Sequence, residues 1–410
     1  MTPGPHDEPG TAPVTDYLEL GLRLDKHVDG MVDAYYGPPD IATRVAAEPV
    51  VAPARLLDDA RTLRAALDDP VASAGLDATR RRWLRAQVHG LVTVCAKLAG
   101  DHIGYADEVE SCYGVRPVPV DESVFAAAHR SLDEVLPGTG AVMERSIAWR
   151  EAQAVPAGKL DAAIRSLAED FRARTKTLFG LPDGEHVDFE LVTGQPWSGF
   201  NYYLGDLRSR VAINTDLPVL STSLAHLVAH EAYPGHHTEH TRKEVGLVRS
   251  RHQLEESIFL VGTPQCLLAE GLADLGLEVI VGARPEPVVA EHLRPLGIAY
   301  DPDVVAAVSS ASEQLNAVRA NVAWRLHEER RPVDECVEYA MRWGLLPRNR
   351  AEKAVEFLTD PTWRAYISCY VEGLPLCRAF VAGDPAAFQR LISEQLVPDD
   401  LSQAIARRAG

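Results

Sequence analysis

Hydrophobic residues recur at steps of three and four along most of the chain, the spacing that puts them on one face of an α-helix. The pattern is clearest after Asp301 and Pro302, where it continues through Val304, Val308, Ala311, Leu315, Val318, Val322 and Leu326. An Asp followed by a Pro is typical of a helix start. We therefore predict one long helix here, buried along one face.

The same spacing predicts about a dozen helices in all, joined by short connections rich in Pro, Gly and Asp. The other stretches cover residues 17–36, 56–67, 78–98, 124–135, 160–178, 266–281, 333–343, 363–381 and 386–396. One region differs, because Val187, Phe189 and Leu191 alternate with polar residues, and 202–207 lead through a Gly-Asp turn into 210–214. The predicted fold class is mainly α, a single large multi-helix domain with a small antiparallel β-hairpin or sheet.

Composition narrows the class of protein. Lys and Arg number 41 against 59 Asp and Glu, a net charge of −18 that is spread along the chain, which argues against nucleic acid and anionic membranes as partners. Residues 1–15 are rich in Pro, Gly and acidic residues and lack the pattern of a secretory signal, so we expect a disordered lead-in. Six cysteines without a CxxC pair favour reduced thiols and a cytoplasmic location.

The candidate chemistry lies in residues 230–237, with the sequence HEAYPGHH. A zinc hydrolase needs about three nitrogen or oxygen ligands, an open position for water and a carboxylate beside that water. His230 is a candidate ligand, and Glu231 is the candidate carboxylate. In the common HExxH pattern the second histidine follows four residues after the first, but here that position is Pro234.

His236 follows His230 by six residues, which in a regular helix would turn it about 240° further round, away from a shared metal. Pro234 cannot donate a backbone hydrogen bond and its ring collides with the preceding turn, while Gly235 tolerates unusual dihedral angles. The pair therefore predicts a bulge or break in the helix, which could bring His236 back beside His230.

Two further histidine pairs have regular helical spacing. His226 and His230 are four residues apart, as are His236 and His240. Neither pair explains the Pro-Gly insertion, so we interpret His226 and His240 as solvated or packed residues.

Glu270 is the candidate third ligand. It shares a helical face with Asp274, which could accept a hydrogen bond from a ligand histidine. The surrounding stretch, 267–277, is apolar almost all round. Two carboxylates in such a helix need strong compensation, and a metal ion with a histidine would supply it.

HEAYPGHH, followed on a later helix by EGLAD at 270–274, resembles the family catalogued as domain of unknown function 885. Residues 22–25 and 33–38 near the start, and 370–373 near the end, are also similar to that family. The resemblance implies a mainly helical fold like neurolysin or carboxypeptidase Taq, with a deep cleft. It also implies a gluzincin zinc site of two histidines and one glutamate.

The same resemblance bears on the choice of second histidine. Dipeptidyl peptidase III, a gluzincin with a lengthened motif, also ends that motif in Gly-His. This likeness favours His236 over its neighbour His237, which is the alternative. Leu272 stands where the family often has Trp, which bears on the shape of the pocket.

Other residues have candidate roles around this site. Tyr366 and Tyr370, four apart on one helical face, could donate to a developing oxyanion, and Arg378 could hold a substrate carboxylate. The strand at 210–214 could pair with an extended peptide. Asn214 is then a candidate substrate contact, although with Asp216 it could instead cap the following helix.

These patterns predict a zinc metallohydrolase with one Zn²⁺ per chain, bound by His230, His236 and Glu270. A peptidase acting on a small peptide or terminal amide is the first hypothesis, with Glu231 as general base towards zinc-activated water. The alternatives are a zinc hydrolase of a non-peptide amide and a catalytically silent metal-binding or scaffold protein. We expect 16–185 to form an N-terminal helical part and 186–410 the metal-binding catalytic part of one continuous domain.

Overall fold

The structure, a computed structural model, describes residues 12–195, 197–361 and 363–410. It is mainly helical with two small sheets, which confirms the predicted fold class. The helices are α1 (Ala12–Asp25), α2 (Pro39–Ala47), α3 (Pro53–Asp68), α4 (Ala78–Leu98), α5 (Tyr105–Tyr113), α6 (Glu122–Val135), α7 (Val142–Ala152), α8 (Ala157–Phe179), α9 (Ser221–Glu231), α10 (His236–Lys243), α11 (Pro264–Val281), α12 (Glu286–Leu293), α13 (Pro302–Ser312), α14 (Val318–His327), α15 (Val333–Gly344), α16 (Arg348–Thr359), α17 (Ile367–Val381), α18 (Pro385–Leu391) and α19 (Pro398–Ala409). The strands are β1 (Val32–Tyr35), β2 (His186–Val192), β3 (Gly199–Gly205), β4 (Arg208–Asn214) and β5 (Ile258–Leu260).

The first helix begins inside the segment that was predicted as a lead-in. α1 starts at Ala12, so 12–15 are helical, and Val14, Tyr17 and Leu18 are buried in the core. The rest of that segment, 1–11, lies outside the described residues. Within the described part of the chain, none of the helices combines the length and the apolar character needed to cross a bilayer.

The three-stranded sheet has the order β2-β4-β3. β3 and β4 form the predicted antiparallel hairpin, but β2 runs parallel to β4, with His186 opposite Arg208. The sheet is therefore not wholly antiparallel as predicted, because β4 follows β3 in the hairpin but lies between β3 and β2. β4 is therefore the central strand and its two edges are already paired, so the peptide-binding role predicted for 210–214 does not fit, and β3 is an edge strand.

The predicted helix after Pro302 is interrupted. α13 ends at Ser312, a 3₁₀ turn covers Glu313–Ala317, and α14 follows. The apolar residues of the two halves enter different clusters: Val308 packs in the cluster of α6, and Val318 in that of α15 and α16. The 3₁₀ turn redirects the apolar face from one cluster to the other.

α11 is the central helix and is buried along most of its length. It packs closely against α17, where Gly271 faces Gly373. A Cβ on Gly373 would lie 2.6 Å from the carbonyl oxygen of Leu267, and one on Gly271 would lie 2.4 Å from the backbone of Gly373. Only glycine permits this backbone contact, which brings the residues before Gly373 on α17 close to Glu270.

Candidate metal centre

A break separates the two helices that carry the histidine motif. α9 ends at Glu231, α10 begins at His236, and 232–235 form the turn between them. A Cβ on Gly235 would lie 1.9 Å from the carbonyl oxygen of His230, so this turn requires glycine. The structure therefore has the break that the Pro-Gly pair predicts, and His236 becomes the first residue of a new helix.

The turn is packed onto the helix that carries the acidic residues. The Pro234 ring lies against Gly276 of α11, where a Cβ would approach Pro234 Cδ to 2.9 Å. Gly276 is about half a helical turn beyond Asp274 on the same helix. The contact fixes the position of α10 relative to α11, and with it the position of His236 relative to Glu270.

Three of the predicted ligands converge on one point. His230 Nε2 lies 3.1 Å from His236 Nε2 and 3.3 Å from Glu270 Oε2, and His236 Nε2 lies 3.8 Å from Glu270 Oε1. Ligand atoms of a tetrahedral zinc site, bound at about 2.0–2.2 Å, lie about 3.3–3.5 Å from one another. The spacing of these atoms is that of a group able to hold a metal ion.

The chemistry of the donor atoms also fits a cation. His230 Nδ1 lies 2.8 Å from Asp274 Oδ1, which orients the ring with Nε2 towards the other two groups. Burial would lower the pKa of His230, but hydrogen bonds to Asp274 and Glu270 outweigh it and raise that pKa well above its usual value, so a metal ion would displace the Nε2 proton. Burial, and then repulsion from His230, lower the pKa of His236 to about 4, so that its ring is neutral at pH 7. Glu270 Oε2 is buried and accepts no well-aligned hydrogen bond from the described residues, although His230 Nε2 lies 3.3 Å away. A buried carboxylate oxygen beside two imidazoles is costly unless a cation joins them, either a proton on a ring nitrogen or a metal ion.

A second possible metal group shares His230. His226 Nε2 lies 3.3 Å from Asp274 Oδ1, and these two residues with His230 also come within metal-binding distance of one another. Here the atoms already satisfy each other, because both rings contact the Asp274 carboxylate. Burial would raise the pKa of Asp274, but hydrogen bonds from His226 and His230 outweigh it and hold the pKa well below its usual range. His226 therefore supports Asp274.

His237, the alternative second histidine, lies in a different network. Its Nδ1 is 2.8 Å from Ser209 Oγ and its Nε2 is 2.9 Å from Glu185 Oε2, and the ring is fully buried. The Tyr233 hydroxyl donates to the same Glu185 oxygen at 2.7 Å, and Arg172 pairs with the other. Both ring nitrogens of His237 are occupied, so of the two neighbours it is His236 that the structure brings to the metal centre.

Glu231 is buried beside the centre, with an exposed fraction of 6%. A Cβ on Gly199 of β3 would lie 3.2 Å from Glu231 Oε1, and Asn201 Nδ2 donates to the Glu231 backbone carbonyl at 2.5 Å. Within the described part of the chain, the Glu231 carboxylate has no hydrogen-bond partner. Burial, with repulsion from Glu270 and Asp274, outweighs attraction to His230 and raises the pKa of Glu231 to about 7.

Of the two predicted tyrosines, one contacts Glu270 and the other packs against the first. The Tyr366 hydroxyl donates to Glu270 Oε1 at 2.7 Å, and the rings of Tyr366 and Tyr370 are 5.5 Å apart. Burial and then the negative charge of Glu270 raise the pKa of Tyr370 well above its usual value, so its hydroxyl keeps its proton. Tyr366 is thus engaged with a ligand residue, and Tyr370 is the hydroxyl with no bond to that carboxylate.

The structure gives Arg378 and Asn214 other partners than the predicted substrate. Arg378 forms ion pairs with Glu278 at 3.1 Å and with Glu313 at 2.8 Å on the protein surface. Asn214 donates to the backbone carbonyls of Gln195 and Trp197 and accepts from the backbone of Asp216. Neither side chain is free for the predicted role, and Asn214 does not cap α9, which is preceded by Leu220.

Two acidic residues near the site were not predicted as site residues. Glu185 supports the turn between the metal-binding helices, and Asp33 of β1 lies within the electrostatic influence of Glu270 and Glu231. Burial and then repulsion from those two carboxylates raise the pKa of Asp33 to about 7. The signal available in the sequence was weak: an acid in an otherwise apolar and aromatic strand segment, 32–36.

No protein-family model and no curated protein matches the chain. Its fold is similar to the crystal structure of the putative lipoprotein from Colwellia psychrerythraea, with a TM-score of 0.52 and 16% identity, covering 86% of this chain and 66% of that one. A putative lipoprotein of unknown function from Shewanella oneidensis has a TM-score of 0.48 and 12% identity, with coverage of 97% and 82%.

At this identity the likeness to the Colwellia protein shows a shared fold alone, and the chain spans slightly less than two thirds of that protein's length. The chain thus has a mainly helical fold similar to that of the Colwellia protein, and it carries a His/Glu group that could bind a metal ion. The resemblance to the domain of unknown function 885 family rests on the sequence motifs.

Proposed function

We propose that this protein is a zinc-dependent hydrolase and, more specifically, a peptidase. The observation that carries the proposal is the convergence of His230 Nε2, His236 Nε2 and a buried Glu270 oxygen, with the buried Glu231 directly after His230 in the chain. A general base next to three metal-binding atoms is the constellation of a metallohydrolase. The motif-based resemblance to a gluzincin-like family agrees with it.

The donor set favours zinc among the common metals. Two imidazoles and one carboxylate leave a tetrahedral zinc ion with one open position, as in catalytic rather than structural sites. When bound, zinc would lower the pKa of a water and polarise the carbonyl to be cleaved. The chain itself holds the ligands in place: Asp274 orients His230, and Tyr366 orients Glu270.

Glu231 would move the proton. Its carboxylate lies against Gly199 with no competing hydrogen bond, so an oxygen is available to accept a proton from attacking water and return it to the leaving nitrogen. Tyr370 keeps its hydroxyl proton and could donate a hydrogen bond to the oxyanion that develops at the substrate carbonyl.

The edge strand β3 supports a peptide as the substrate. It passes Glu231 at Gly199, where the missing side chain leaves the backbone close to the carboxylate. β3 is paired with β4 along one edge, and the other edge of an edge strand has backbone groups able to pair with an extended peptide. This strand takes over the role that sequence analysis gave to 210–214.

The test combines metal content with turnover. We expect about one zinc per chain in the purified wild type, loss of zinc in His230→Ala, and retention of zinc in Glu231→Gln with kcat for a mixed peptide library lowered by about 10²–10⁴. Glu190→Gln, a half-exposed glutamate of β2, is the matched control and should keep both zinc and activity. Wild-type cleavage by Glu231→Gln, or a wild type that binds no metal, would contradict the proposal.

A further inference from the structure

Three aromatic side chains form one patch on β3 and just before it. The ring centroids of Trp197 and Phe200 are 5.6 Å apart, those of Phe200 and Tyr202 are 4.6 Å apart, and those of Trp197 and Tyr202 are 6.4 Å apart. All three residues are half-buried, and within the described chain none of them joins the hydrophobic clusters of the core. We name this patch the aromatic platform, because its rings pack on one another and stay partly open to solvent.

The neighbouring strand β4 holds the platform in place. Asn214 Nδ2 donates at 2.9 Å to the backbone carbonyls of Gln195 and Trp197, which fixes the chain just before β3. The guanidinium carbon of Arg210 lies 4.4 Å from the centroid of the Tyr202 ring, a cation–π contact across the strand pair. The platform is therefore a surface whose position is determined by the sheet.

On the same face of the sheet, the other two strands are polar. Arg208 pairs with Asp188 at 3.4 Å and Arg210 pairs with Glu190 at 3.5 Å, as expected for a sheet face in contact with water. On β3, by contrast, Leu204 continues the apolar surface and is 61% exposed. An edge strand ordinarily carries charges that discourage pairing with another chain. The apolar edge strand β3 therefore indicates a site at which an extended chain binds.

The platform borders the candidate metal centre through the backbone of β3. A Cβ on Gly199 would lie 3.2 Å from Glu231 Oε1, and Asn201 Nδ2 donates to the Glu231 carbonyl oxygen at 2.5 Å. Phe200 lies between these two residues, and its ring is on the other face of the strand because successive side chains alternate. A peptide paired along the free edge of β3 would therefore meet Glu231 and the platform at the same point.

The geometry of strand pairing specifies which side chains of such a peptide contact the platform. Every second side chain of an extended peptide lies on the same face as the rings. Neighbours across paired strands have Cβ atoms about 4.5–5.5 Å apart and interact directly. Because Phe200 and Tyr202 are two residues apart, they would contact two peptide side chains that are also two residues apart. Aromatic rings favour apolar and aromatic partners, whose surface is removed from water by the contact.

We propose that the aromatic platform binds apolar or aromatic side chains of the substrate at alternate positions beside the bond that is cleaved. The inference rests on the proposed peptidase function and names its substrate class, extended peptides with apolar residues at these positions. The charged side chains on this face are already paired with one another, so the platform favours apolar side chains over charged ones.

The test is a positional scan of peptide binding, measured by calorimetry on the turnover-deficient Glu231→Gln protein with zinc added. Hexapeptides of Ala and Ser with free termini carry Phe or Glu at one position at a time. We expect Phe to tighten binding by about tenfold or more at one position, or at two positions separated by a single residue. Glu at the same positions should not tighten binding.

Substitutions in the platform show which rings cause the preference. Phe200→Ala should reduce the Phe preference to about twofold or less, and Tyr202→Ala is a second, independent variant with the same expected direction. Phe357→Ala, at a phenylalanine of α16 that is 39% exposed, is the matched control and should leave the preference unchanged. Unfolding temperature and metal content show that each variant is folded, and the scan on the intact platform needs no folded variant.

Binding of none of the peptides, equal affinity for Phe and Glu at every position, or a Phe preference that survives both platform substitutions would overturn the proposal. A dimer that Phe200→Ala dissociates, measured by sedimentation, would also overturn it, because a second copy would then cover the edge of β3. Turnover separates the two proposals. A Phe preference that depends on Phe200, in a wild type that cleaves no peptide, would disprove the peptidase and retain the apolar site, whereas cleavage without positional preference would do the reverse.

Discussion

Two clusters of buried polar residues adjoin the turn at 232–235, and each contains one of two adjacent histidines. His236 belongs to the metal centre, and His237 belongs to a second cluster, which we name the Glu185 cluster. That cluster comprises Arg172, Glu185, Ser209, Tyr233 and His237. In the Glu185 cluster, hydrogen-bond donors are paired with acceptors. In the metal centre, two imidazole nitrogens and a carboxylate oxygen point at one another, and Glu270 Oε2 accepts no well-aligned hydrogen bond from the described residues.

The contrast separates a structural role from a functional one. A buried network whose bonds are complete stabilises one arrangement of the chain and has nothing left to offer a ligand. Converging acceptors are costly in a folded protein without a cation, so they indicate a group that binds there. Residue type and burial alone do not distinguish His236 from His237, but the atoms that contact their rings do.

The sharpest way to break this comparison is to remove each histidine in turn. We expect His236→Ala to lose the bound metal, because one of three ligands is gone, with little change in the stability of the metal-free protein. His237→Ala should retain metal but lose about 2–4 kcal/mol of unfolding free energy, because Glu185 and Ser209 lose a buried partner. Metal analysis and denaturant unfolding with chelator measure the two effects, and the opposite assignment would invalidate the comparison.

The Glu185 cluster should also make stability depend on pH. Burial would raise the pKa of Glu185, but hydrogen bonds from His237 and Tyr233 outweigh it and lower the pKa to about 2. Because this pKa lies below the unfolded value of about 4.3, the stabilisation is present above that pH and is lost as the pH falls towards about 2.

We therefore expect Glu185→Gln to cost up to about 3 kcal/mol at pH 7 and progressively less on acidification through that range. Unfolding curves at a series of pH values measure the difference. Glu190→Gln on the neighbouring β2 should show no such trend, and a penalty for Glu185→Gln that stays constant with pH would contradict the role given to the ionised carboxylate.

A substitution at Asp274, which contacts the ligand His230, is a further test of the metal centre. Asp274→Asn keeps the size of the side chain but weakens its hold on His230, so we expect metal affinity to fall by about 10–100-fold while the fold is retained. Competition with a chelator of known affinity measures it. Unchanged affinity would mean that the His230 ring is oriented by packing alone.

The smallest effect is expected at Arg378. Its two ion pairs are on the surface, where such pairs contribute about 0–1 kcal/mol, so Arg378→Ala should leave metal content and turnover unchanged. A large loss of peptide binding, with metal retained, would restore the substrate-binding role that the sequence suggested.

The sequence predicts the site best where the residues themselves determine the structure at their own position. Pro234 and Gly235 cannot continue a helix, so the break and the return of His236 follow from residue chemistry. Glu270 and Asp274 stand out because they interrupt an apolar helix, and Tyr366, at the N-cap of α17, contacts Tyr370 four residues later as their spacing predicts.

What the sequence does not predict depends on contacts between distant segments. Asp33 lies far from the motif along the chain, and its irregular position in β1 depends on the pairing of β1 with β5. The periodicity after Pro302 is continuous, but the neighbouring clusters differ, and this interrupts the helix. Likewise, the position of β4 between β2 and β3 is a property of the sheet and not of any one strand.

The turn at 232–235 affects the distance between the two histidine nitrogens of the metal site. When both histidines lie on one continuous helix, the distance between their nitrogens is dictated by the helical pitch. Here the imidazoles belong to separate helices, and the gap between them depends on how Pro234 packs against Gly276. Small changes at that contact could therefore tune the radius and geometry of the ion that the site prefers without altering a single ligand.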